Sequence, residues 1–135
     1  MHWNYMRIIK HAVFPLMLLA PDLAFADVDC RAVAHDLRNQ DQLVKRQARD
    51  FKARYGDINP PNDQISVAER RDFVGRLGVL INTTQKDIED LRWLIDHHCG
   101  PAKEEPEAFE SLREMEAGVQ QMKKVLDKFI NREAH

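Results

Sequence analysis

The chain has little cysteine, glycine, proline or serine. Only 2 Cys occur in 135 residues. That excludes a disulfide-dense scaffold and leaves room for one bridge. With 5 Gly and 6 Pro, collagen-like and Gly/Pro-rich material is excluded. The formal net charge is only -2, so no broad excess of one sign points to nucleic acid. There is no Gly-rich phosphate loop, no Gly-x-Ser-x-Gly and no His-Glu-x-x-His, the motifs that would announce common chemistries. The two serines read as a helix cap (Ser66) and a polar helix face (Ser111). What is present is 44% hydrophobic and 31% charged residues, too apolar for a disordered chain. One domain is the natural count at this length.

Residues 1–26 read as a secretory signal peptide. Arg7, Lys10 and His11 form a basic n-region, Ala12 to Ala20 is an apolar run, and Ala24-Phe25-Ala26 fits the small-x-small cleavage rule. The run is far shorter than the roughly 20 residues of a membrane-spanning helix. Cleavage after Ala26 leaves residues 27–135 as a helical bundle domain, secreted or periplasmic.

Three helices follow. Cys30, Ala34, Leu37, Asp41, Val44, Ala48, Phe51 and Tyr55 recur at alternating steps of four and three. That is a heptad seam with one polar fault at Asp41. Gly56 and the stretch Asp57-Ile58-Asn59-Pro60-Pro61-Asn62-Asp63 then stop the helix. Ser66-Val67-Ala68-Glu69 is a capping box. Val74, Leu77, Ile81, Thr84, Ile88, Leu91, Ile95 and His98 make the second seam, widened by Phe73, Leu80 and Leu94, and Gly100-Pro101 ends it. Gly75 and Gly78 within it either permit a close helix approach or are merely tolerated. The third helix starts near Pro106, with Leu112, Met115, Val119, Met122, Leu126 and Phe129 as its seam. The predicted fold is all-α: an elongated, antiparallel, three-helix coiled-coil-like bundle.

In that topology Cys30 and Cys99 meet at the open end of the first hairpin. A disulfide between them fits an oxidising compartment. The alternative use of this end is a metal or small-ligand carrier, with His35, His97 and His98 beside the cysteines. Adjacent His97 and His98 diverge by about 100° on a helix, which weakens that set. No cofactor is expected.

Charge is sorted along the bundle. Lys45, Arg46, Arg49, Lys52 and Arg54 against Asp50 give four net positive charges. Arg70, Arg71 and Arg76 against Glu69 and Asp72 give one, and Lys123, Lys124, Lys128 and Arg132 against Asp127 give three. Toward the cysteines the balance is reversed. Asp27, Asp29 and Asp36 outweigh Arg31 and Arg38 by one; Asp87, Glu89, Asp90 and Asp96 outweigh Lys86 and Arg92 by two. Glu104, Glu105, Glu107, Glu110, Glu114 and Glu116 outweigh Lys103 and Arg113 by four. Helix dipoles favour acids at N-termini and bases at C-termini. Helices 1 and 3 obey this rule, and helix 2 opposes it. The basic pole is therefore the candidate recognition surface for a protein or an anionic envelope surface. Its candidate residues are Lys45, Arg46, Arg49, Lys52, Arg70, Arg71 and Arg76, with Trp93 as a further contact off the helix 2 seam.

The run Leu91-Arg92-Trp93-Leu94-Ile95-Asp96 resembles the Leu-Arg-x-x-Ile-Asp opening of the helical chorismate mutases, some of which are exported and disulfide-bonded. The resemblance covers six residues of one helix and implies an all-helical enzyme as a third reading. The downstream arginine and lysine spacing of that family does not follow, because Gly100-Pro101 ends the helix. The first reading is an exported protein that acts by macromolecular binding, as an adaptor, inhibitor, chaperone or secretion-system accessory.

Overall fold

A computed structural model describes residues 28–56 and 65–133, with side chains described for 29–56 and 65–130. Residues 1–26, where the sequence predicts an export signal, and the Pro60-Pro61 connection lie outside the described residues. The architecture is three helices: α1 (Val28–Tyr55), α2 (Val67–Asp96) and α3 (Glu105–Glu133), with a 3-10 turn at Ala102–Glu104 before α3. The middle helix, α2, packs along both of its neighbours. At 1.5 Å per residue its 30 residues span about 45 Å, so the bundle is elongated.

The heptad pattern dictates this arrangement. Ala34, Leu37, Val44, Ala48, Phe51 and Tyr55 of α1 are buried, as are Leu77, Ile81, Thr84, Ile88, Leu91 and Ile95 of α2. Phe73, Leu80 and Leu94 are buried too, and they turn a second stripe of α2 toward the core. From α3 come Leu112, Met115, Val119, Met122 and Phe129. Each buried Val, Leu, Ile, Phe or Met side chain contributes about 1.5–3 kcal/mol. Leu126 and Val74 are only half-buried, and Ser111, expected on a polar face, is buried.

Local signals set the helix ends. Ser66 Oγ accepts from the Glu69 amide at 3.1 Å, and the Ser66 hydroxyl donates to Glu69 Oε1 at 3.2 Å, so the Glu69 carboxylate bonds the hydroxyl and not the Ser66 amide of a full capping box. At the C-terminus, α2 stops at Asp96, before Gly100-Pro101. The His98 amide donates to Ile95 O at 3.1 Å, and the Cys99 amide to Leu94 O at 3.0 Å. Those two bonds make a Schellman motif. Its left-handed residue is His98, with φ 50°, so His98 is exposed and not the seam residue that the spacing predicts. The motif turns Cys99 inward, and Cys99 forms a disulfide with Cys30 across a Cα–Cα distance of 5.7 Å.

The opposite end is closed by aromatic packing. Phe73 sits 5.0 Å from Phe51, 5.2 Å from Tyr55 and 4.4 Å from Phe129, between ring centroids. All three helices meet at Phe73. Gly75 and Gly78 are not close-approach sites: a Cβ at either would meet nothing within 4 Å.

Candidate functional site

The basic pole is organised around one acid. Asp72, in the second turn of α2, accepts a hydrogen bond from the Tyr55 hydroxyl at the end of α1. Arg76 Nε donates to both of its oxygens, at 3.1 and 2.9 Å, and Arg54 lies 3.6 Å away. The Tyr55 hydrogen bond, followed by Arg76 and Arg54, holds the Asp72 carboxyl below the usual carboxylate range. Burial and then Asp72 push the Tyr55 hydroxyl up.

The predicted basic recognition residues divide into three groups around this hub. Arg46, Arg49, Lys52 and Arg71 are exposed and make no ion pair with a described residue. Arg76 is committed to Asp72. Arg70 is half-buried, with its Nε unbonded. Lys45 is half-buried, and its charge acts on the buried Asp41 and Asp87 carboxyls. Between α1 and α2 a groove of about 490 Å³ is lined by Gln47, Asp50, Phe51, Asp72, Gly75, Arg76 and Val79. Asp57 and Asp63 of the connection, with Glu133, lower the positive excess of this end from eight to five. Trp93 belongs to the opposite half of α2. It is half-buried against the core and stacks on His97 at 3.8 Å, so it is not part of the basic pole.

The cysteine end shows no shared ligand set. Both thiols are consumed in the disulfide. His97 Nδ1 lies 2.8 Å from Trp93 O, His98 Nδ1 lies 2.7 Å from Glu105 Oε1, and His35 Nδ1 lies 3.4 Å from Asn39 Nδ2. The three histidines therefore have three separate neighbourhoods. No three metal-ligating side chains are grouped among the described residues.

The six residues that resemble chorismate mutases end at the last residue of α2. Arg92, the arginine of that segment, is exposed and donates to Glu116 Oε1 of α3 at 2.6 Å. It borders an outer α2–α3 groove that also includes Ile88, Glu89, Val119 and Lys123.

A buried acid pair was not legible as such. Asp41 and Asp87 are 1% and 0% exposed. They meet across the α1–α2 seam, and no donor outside the pair reaches either carboxyl. Burial pushes Asp41 up to about 6, against the Asp87 hydrogen bond and the Lys45 charge. Burial pushes Asp87 up to about 10, helped by the Asp41 hydrogen bond and by the charges of Asp41 and Asp90. Two carboxyls that lie together out of solvent with no other donor disfavour double ionisation. Asp87 therefore does not belong to the acidic surface. The available signal was spacing: Phe73, Leu80, Asp87 and Leu94 are seven residues apart and fill the second α2 stripe.

No protein-family model, curated protein or solved structure matches this chain.

Proposed function

We propose that this chain is an exported helical bundle that acts by binding an acidic surface of a partner protein through its basic pole. Residues 1–26 supply the export signal. The disulfide is compatible with that reading, as is the fact that no described helix is long and apolar enough to cross a membrane. The observation that carries the binding role is the set of uncommitted cations. Arg46, Arg49, Lys52 and Arg71 stand exposed at one end, while Asp72 already takes Arg54 and Arg76.

Two features favour a partner over simple solvation. Arg70 and Arg71 lie in the first turn and a half of α2, where the helix dipole disfavours cations. Val67, one turn before them, is 61% exposed, and Val79, two turns further along α2, is 51% exposed. Arginine beside aliphatic surface is the composition of a protein interface.

The test is retention of native envelope proteins on the immobilised mature chain, compared with an Arg46→Ser/Arg49→Ser/Arg71→Ser variant. The expected result is a discrete set of acidic proteins that the wild type retains, salt elutes and the variant fails to hold. Equal retention by the variant overturns the basic-pole reading. Retention on anionic vesicles, with no protein held, replaces the protein partner with the envelope surface.

A further inference from the structure

Asp41 and Asp87 are expensive residues for a bundle core. Both carboxyls lie out of solvent in the middle third of the α1–α2 seam. Val44 and Thr84 are buried beside them along the chain, and Thr84 spends its hydroxyl on Leu80 O at 2.8 Å, so it offers the pair no proton. An ionised carboxylate in such a place costs several kcal/mol unless it is compensated.

The surroundings compensate only in part. From α1, Lys45 is the cation that acts on both carboxyls. From α2, Asp90 adds repulsion. Asp90 is itself half-buried, and burial, followed by the charge of Asp36, raises it, while Lys86 lowers it and Glu89 raises it. The charges that act most strongly on the pair come from α1 and α2. The charged α3 residues at that height, Glu116 and Lys123, line the outer groove with Ile88 and Glu89. The seam thus brings two acids into contact and a third close by, with one nearby lysine.

We propose that Asp41 and Asp87 share one proton across the α1–α2 seam, and that the charge state of this pair sets how tightly the two helices pack. With the proton in place, one carboxyl donates to the other and a single negative charge faces Lys45. Without it, two buried anions in contact repel, and the seam loosens at that level. The disulfide ties the helices at one end, and the Tyr55–Asp72 contact ties them at the other. The response is therefore a loosening of the middle rather than separation of the helices. An exported protein meets external pH without cytoplasmic buffering, so such a bundle tightens on acidification.

The direction follows from linkage. Both folded values exceed the ordinary carboxylate value, so the native pair binds protons that the unfolded chain releases. The stabilisation is complete below about pH 4. It is lost as pH rises through about 6 and then about 10.

Two measurements on the disulfide-intact mature chain test the proposal. Infrared spectroscopy of the folded wild type near pH 7 is expected to show a protonated-carboxyl C=O band that Asp87→Asn abolishes. Thermal unfolding is expected to show the wild-type Tm rising by several degrees from about pH 9 to about pH 5. In Asp87→Asn, which keeps a donor in place of the proton, that rise is expected to shrink and the Tm near pH 9 to exceed that of the wild type. Asp41→Asn is expected to flatten the profile in the same way. The absence of the band in the wild type overturns the proposal even if neither variant folds. Parallel pH profiles for the wild type and both variants overturn it as well.

Discussion

Tyr55, the last residue of α1, donates its hydroxyl to Asp72 in the second turn of α2. This bond fastens the hairpin at the end opposite the disulfide. Removing the hydroxyl in Tyr55→Phe keeps the ring packed on Phe51 and Phe73. The expected loss is about 1 kcal/mol, read from the urea midpoint. Asp72→Asn is expected to destabilise as well. Because the Asp72 carboxyl is held below its usual range, its contribution is present above about pH 4 and is lost as pH falls further. Combined with the opposite trend of Asp41 and Asp87, this places maximum stability near pH 4–5. A pH series of thermal melts checks it.

Reduction of the disulfide tests the other end. Cys30 and Cys99 are 69 residues apart, and the entropy of closing such a loop is about 4 kcal/mol. Cys30→Ser/Cys99→Ser and the reduced wild type are expected to melt at the same, lower temperature. Equal melting of oxidised and reduced wild type contradicts this.

Gly75→Ala and Gly78→Ala are each expected to stabilise α2 by up to about 1 kcal/mol. Open space surrounds both positions, so propensity is not offset by a clash. Gly56 behaves oppositely, since a Cβ there would lie 2.5 Å from Lys52 O. Gly56→Ala is expected to destabilise. Denaturant midpoints of the three variants give the comparison.

His98 holds a left-handed backbone, φ 50°, while its ring contacts Glu105 at 2.7 Å. Ala at this position loses the contact and keeps the backbone cost, whereas Gly loses the contact and relieves that cost. His98→Gly is therefore expected to be about 1 kcal/mol more stable than His98→Ala. Parallel melts of the two variants measure the difference directly.

Most of the helix framework was legible because its signals are local. Heptad spacing identified the buried faces, Ser66 marked a helix start, and the antiparallel order brought Cys30 to Cys99. The end of α2 was misread at Gly100-Pro101, because nothing in the local sequence announces a histidine in the left-handed position. Asp41 was visible as a fault in a seam. Its partner was not, because Asp87 lies in a run of acids, Asp87, Glu89 and Asp90, whose burial differs from one to the next.

The sequence by itself determined three amphipathic helices, their order and their staple, since period and capping are properties of neighbouring residues. Only the tertiary structure decided which polar side chains meet. It joined Asp41 to Asp87 and Tyr55 to Asp72, left Lys45 half-buried, and left Arg46, Arg49, Lys52 and Arg71 outside. Such pairings depend on the rotation and axial offset of whole helices. Those are set by how three apolar faces interlock, a sum over the entire core that no short stretch of sequence encodes.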